Sequence, residues 1–157
     1  PELFVHWPDT VCEQWLAREI SRLHAATEVD GSEMESLLEQ TISGRPIRWW
    51  RGVHWTNEHK KIDIVAIAKT DRFPLDELVR LYRANAPNDA YGAPNSRQRL
   101  RSQIEHLTEM KAFSMSPLLL ETPAGTKIID GFHRIAALMT LELAETNQTD
   151  WMARHSG

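Results

Sequence analysis

Five consecutive residues, Asp130-Gly131-Phe132-His133-Arg134, bring together a carboxylate, a glycine, an imidazole and a guanidinium. They stand where the β-branched pair Ile128-Ile129 gives way to a helical pattern, so the chemistry sits on a strand-to-helix turn. The helix expected from Phe132 to Leu143 carries Ile135, Ala136, Ala137, Leu138 and Met139 and is apolar nearly all the way round, the mark of a buried helix. Its ionisable residues before Glu142 are His133 and Arg134, both in the first turn. That end of a helix already carries about half a positive charge and points unpaired N–H groups outward. A bound anion answers both problems. Gly131 lets a phosphate approach the backbone, and Arg134 can hold it through a two-pronged guanidinium contact. Asp130 is suited to hold a divalent metal, Mg²⁺ first, on that phosphate or to act as a general base, and His133 to act as acid, base or phosphate donor. The plainer arrangement has Asp130 capping the helix and pairing with Arg134, with His133 an ordinary surface residue. The combination of turn, adjacent cations and apolar body favours the phosphate site.

The elements that must position this turn follow from periodicity. Pro117 precedes a strand at Leu118–Leu120, Pro123-Ala124-Gly125 turns the chain, and Lys127–Ile129 forms the paired strand. A further strand is expected at Ile62–Ala68, which is β-branched and largely apolar. Pro74 suits the first turn of a short helix through Leu78, Val79, Leu81 and Tyr82 that stops before Pro87. Asn85 to Asn95 is a loop, and a helix carrying Leu100, Ile104 and Leu107 follows it. Upstream, Thr10 with Glu13 has capping-box spacing ahead of Val11, Trp15, Leu16, Ile20 and Leu23. Ser32 with Glu35 repeats the signal before Met34, Leu37, Leu38 and Ile42, and Gly44 with Pro46 ends that helix. The expected fold is α+β: a small mixed sheet around 62–68, 118–120 and 127–129 wrapped by helices, with residues 1–55 as an N-terminal helical layer on a core at 62–143, all in a single domain 1–157. The segment after Glu145 is polar and shows no pattern.

A chain of 157 residues is long enough for one well-packed domain. No apolar run approaches the length needed to cross a bilayer, so membrane insertion is not expected. The single Cys12 rules out an internal disulfide and a Cys-based metal cluster and fits a reducing, cytoplasmic setting. A net charge of −4 argues against coating nucleic acid by bulk charge and leaves room for a local basic patch.

Ile128-Ile129-Asp130-Gly131-Phe132-His133-Arg134-Ile135-Ala136-Ala137-Leu138 resembles the signature of the ParB/sulfiredoxin (ParB/Srx) superfamily. The resemblance spans 62–143, and the Ser-Pro before a hydrophobic strand and the hairpin follow the family order. It implies a ParB/Srx-like core. It also implies nucleotide contact, ATP first, at Gly131, Arg134 and Ala137, the positions that match the GxxRxxA pattern of partition proteins. The branches separate on further residues. No Glu-Asn-x-x-Arg partner motif and no helix-turn-helix follow before Gly157, which sets aside a complete DNA-clamp partition protein. Phe132 stands where sulfiredoxins need a cysteine nucleophile. A free-amino-acid kinase shares Asp-Gly-x-His-Arg. The compact plasmid fertility-inhibition (oncogenic-suppression) proteins fit best. That branch implies ATPase and DNase activity, with Asp130, His133 and Arg134 catalytic, nucleotide and DNA as partners, and a conjugation or type IV secretion component as target. A non-enzymatic protein that blocks such a partner and a small-molecule kinase are the alternatives.

Two basic segments are candidate DNA contacts. Arg45, Arg48 and Arg51 interleave with Trp49 and Trp50, a mixture used on single-stranded DNA, although paired tryptophans more often anchor a core. Arg97, Arg99 and Arg101 fall at a helix start, again the unfavourable end for cations, and could form a second wall of the phosphate site or a DNA-facing patch.

Overall fold

The computed structural model describes residues 4–26, 38–58, 64–143 and 150–156. Helix and sheet are both present, as expected for an α+β chain. In order, the elements are α1 (Asp9–Val11), a π turn (Cys12–Leu16), α2 (Ala17–Ala26), β1 (Thr41–Ile42), β2 (Arg45–Pro46), α3 (Ile47–Trp50) and β3 (Val53–Glu58). They continue with a 3-10 turn (Ile64–Ala66), α4 (Lys69–Arg83), a 3-10 turn (Asn88–Ala90), α5 (Ser96–Met110), β4 (Leu118–Thr122), β5 (Gly125–Asp130), α6 (Phe132–Thr140) and β6 (Asp150–His155). The larger sheet has the order β3-β6-β4-β5. The chain divides into two compact units, 1–56 with 153–157 and 57–152, so β6 contributes a half to each.

The first unit is held by indoles. Trp7, Trp15 and Trp50 are buried with Phe4, Val11, Leu16, Ile42, Ile47 and Val53. Trp15 and Trp50 meet edge to face at 5.0 Å between centroids, a favourable arrangement for aromatic quadrupoles. The polar ends of two of these rings are satisfied by backbone: Trp50 Nε1 donates to Ile42 O, and Trp7 Nε1 to Val53 O. Over its described residues this unit is less helical than expected. Ile42 lies in the short β1–β2 hairpin, where Ser43 and Gly44 take positive φ, and residues 53–58 form a strand. Ser32, Met34, Glu35 and Leu37 lie outside the described residues. Thr10 sits inside α1, which follows Pro8 with no side-chain cap, so the Thr10/Glu13 spacing is not used as a capping box.

The second unit buries Leu75, Leu78, Val79, Leu100, Leu107, Phe113, Leu119, Ile128 and the run Ile135–Leu138 around one core. Its hairpin β4–β5 is antiparallel and closes at Thr122↔Gly125. The Thr122 hydroxyl accepts from Ala124 N and donates to Gly125 O, which fixes the Pro123-Ala124 turn. The expected strand at Ile62–Ala68 is not formed over its described part. Residues 64–66 make a 3-10 turn and only Ile67 bridges, in parallel, to Thr126. Val65 is 86% exposed, so the apolar run has no second face to bury, and a hydrophobic run alone does not make a strand. Helix α4 instead begins at Lys69, and Asp71 in its first turn accepts the Ile128 N–H at 2.7 Å, tying the helix start to β5. Pro74 therefore lies inside the helix rather than at its start. Helix α6 ends at Thr140, short of the expected Leu143: Glu142 turns left-handed (φ +55°) and Leu143 N–H returns to Leu138 O, a Schellman-type stop.

Gly125 has φ +117°, and a Cβ there would lie 2.5 Å from Ala66 O. Gly125→Ala is therefore expected to lower the unfolding free energy by about 2–4 kcal/mol, read as a lower urea midpoint at unchanged slope. A wild-type midpoint would show that the 66–68 segment does not press on the hairpin.

Candidate functional site

The hairpin delivers the turn through a bulge. Leu118 pairs with Asp130 but Leu119 pairs with Ile128, so Ile129 is an extra residue in β5 just before the site. Such a bulge bends the strand and re-aims the side chains beside it. Gly131 follows with φ +101° and is the residue preceding α6. A Cβ at this position would lie 3.1 Å from Pro117 Cβ and 3.3 Å from Arg134 Cζ. Gly131 thus meets two demands at once, a left-handed backbone and close approach to Pro117.

Arg134 is engaged with the protein. Its Nη2 pairs with Asp130 Oδ2 at 3.1 Å, and its Nη1 donates to Met115 O at 2.9 Å and to Ser116 O at 3.3 Å. The two side chains are 12% and 18% exposed. The guanidinium latches the 115–117 approach to β4 onto the first turn of α6, and Asp130 neutralises it.

An open cleft of about 670 Å³ lies on this turn, lined by residues of α5 (Gln98, Arg99, Ser102, Gln103) and by 128–134. His133 lines it and is half-buried, with Nε2 2.8 Å from Ser96 Oγ. Burial, and then the positive charge of Arg99, push its pKa down to about 4. At neutral pH the ring is uncharged. Arg99 is exposed, lines the same cleft and makes no ion pair among the described residues. Arg97 is instead held by Asn85 Oδ1 at 2.7 Å, across the Asn85–Asn95 loop, and Arg101 is exposed.

The sequence-derived residues therefore separate. Asp130, Gly131, His133 and Arg134 come together with Arg99. Ala137 does not join them: it is fully buried, because its side of α6 faces the core rather than the cleft. In the other unit, Arg45 lies over the Trp49 ring at 4.2 Å, Arg48 pairs with Glu39, and Arg51 is exposed. Trp50 is buried and Trp49 is stacked on His155 at 4.4 Å, so these indoles serve packing. Sequence reasoning missed the Ser96–His133 bond, since nothing in the spacing of residues 96 and 133 brings them together.

A metal does not fit Asp130 as it stands. The carboxylate is paired with Arg134, and among the described residues no group of three or more His, Cys, Asp or Glu could hold an ion. No family model matches the chain, and no curated protein sequence or solved structure matches it either. No helix among the described residues is long and apolar enough to cross a membrane.

The depressed pKa of His133 has a sign. Between about 4 and 6.5 the unfolded chain binds the proton and the folded chain does not, so this residue makes stability fall as pH drops through that window. His133→Asn is expected to flatten the slope of the urea midpoint between pH 6.5 and 4, the range set by the two pKa values. An unchanged slope would mean that His133 titrates normally.

Proposed function

We propose that the chain binds a nucleotide in the cleft beside α6, with its phosphates against Arg99, His133 and the first-turn amides, and that phosphate-ester hydrolysis (ATPase, with DNase the second activity) takes place there. The observation that carries this reading is an exposed guanidinium with no carboxylate partner among the described residues, facing a neutral histidine at a helix N-terminus. Positive potential is concentrated there without internal compensation, and an oxyanion supplies it. Phe132 and Ile128 give the cleft an apolar wall, and Asn95, Gln98 and Gln103 give it amides, a lining suited to a nucleobase.

The division of labour differs from the one expected of the motif. Arg99 is the cation available to phosphoryl oxygens and stabilises the charge that develops on them. Arg134 and Asp130 hold the turn in shape. Neutral His133 is suited to hydrogen-bond a phosphoryl oxygen, and bound phosphate charge would raise its pKa. Mg²⁺ in this reading enters with the nucleotide, because the described residues offer no cluster to hold it. The partner-blocking alternative draws less support from the Trp-rich segment, since Trp50 is buried and Trp49 is stacked on His155. A conjugation or type IV secretion component as the target remains a proposal resting on the motif.

The test is calorimetric titration of ATP, ADP and CTP, with Mg²⁺, into wild type and Arg99→Ala. Saturable binding that weakens at least about tenfold in Arg99→Ala, at an unchanged urea midpoint, is expected for loss of a charge-assisted contact. No heat from folded wild type with any of the three would overturn the reading.

A further inference from the structure

The bond between Ser96 and His133 joins the two elements that frame the cleft, the first residue of α5 and the first turn of α6. Ser96 is 8% exposed and does not line the cleft, whereas His133 does. The direction of that bond decides what the imidazole can offer a ligand.

A buried hydroxyl needs an acceptor for its proton, because an unmade donor inside a protein costs about as much as a lost hydrogen bond. His133 Nε2 is the only hydrogen-bond partner of the Ser96 hydroxyl among the described residues. If Nε2 carried the proton and donated to Oγ, the hydroxyl proton would be stranded. The hydroxyl therefore donates and Nε2 accepts, which in a neutral ring places the proton on Nδ1. Nδ1 makes no hydrogen bond to the described residues, although the ring borders the cleft. Burial and Arg99 both disfavour the doubly protonated ring that would make this assignment moot.

We infer that Ser96 is the positioning residue of the cleft: its hydroxyl fixes His133 with Nε2 as acceptor, so that the ring presents Nδ1–H to a phosphoryl oxygen. The inference deepens the phosphate reading above and rests on it. It gives the site a directional specificity, since Nδ1–H donates to a deprotonated phosphoryl oxygen and offers nothing to a ligand group that only donates. It also removes Nε2 from the chemistry, so neither proton abstraction nor phosphoryl acceptance takes place at that atom.

The test is long-range ¹H–¹⁵N correlation on the full chain labelled at histidine nitrogens, at pH 7, with His133 identified by loss of its signals in His133→Gln. The expected wild-type spectrum is that of the Nδ1–H tautomer, and added inorganic phosphate shifts its Nδ1 signal. In Ser96→Ala the ring moves toward the Nε2–H form and phosphate binds about three- to tenfold more weakly, the effect of one misplaced hydrogen bond. Ser96→Thr, which keeps the hydroxyl, restores the Nδ1–H form. An Nε2–H tautomer in wild type with phosphate still binding overturns the inference and leaves the phosphate reading standing. No response to phosphate in wild type overturns both.

Discussion

The structure around the cleft depends on one charge pair with two extra hydrogen bonds. Arg134 reaches from the first turn of α6 to Asp130, at the end of β5, and to the carbonyls of Met115 and Ser116, just before β4. A guanidinium at a helix N-terminus stands in an unfavourable potential, so something must compensate it. Asp130 supplies the charge and the two carbonyls supply acceptors, which together make burial of the group tolerable. Because three segments meet on one side chain, the approach of Pro117 to Gly131, the left-handed backbone at Gly131 and the start of α6 are set together.

That latch changes the electrostatics of the cleft. With Arg134 neutralised, the exposed positive charge lining the cleft among the described residues is that of Arg99, one helix away. Arg99 in turn helps keep His133 unprotonated, and Ser96 holds that ring from behind. The same motif thus divides into a structural half, Asp130 and Arg134, and a half that faces the cleft, His133, with Arg99 of α5 lining the same cleft. Arg97, which looked equivalent to Arg99 in sequence, is tied to Asn85 across the loop.

Much of this was legible beforehand for a physical reason: local patterns specify local structure. The hairpin at 118–130, the buried helix after Phe132 and the helix after Asn95 are all written in short apolar runs, turn residues and helical periodicity. The paired Asp130 and Arg134, four residues apart, also belonged to the plainer sequence alternative. Elements that depend on distant partners were not legible. The run at 62–68 reads as a strand but, over its described part, lacks a second surface to bury against. Strands β3 and β6 mix apolar and polar residues without the regular pattern that marks a strand in sequence. The Ser96–His133 bond spans 37 residues and could be found only in three dimensions.

The central claim is that Arg134 and Asp130 act on each other to build the turn, and that Arg134 is not held in reserve for a ligand. A double-mutant cycle on unfolding stability, with Asp130→Ala, Arg134→Ala and the double variant, measures this directly in the ligand-free chain. The account predicts a coupling of at least about 1 kcal/mol, with each single variant losing nearly as much as the double. Additive effects, with no coupling between the two residues, would contradict it.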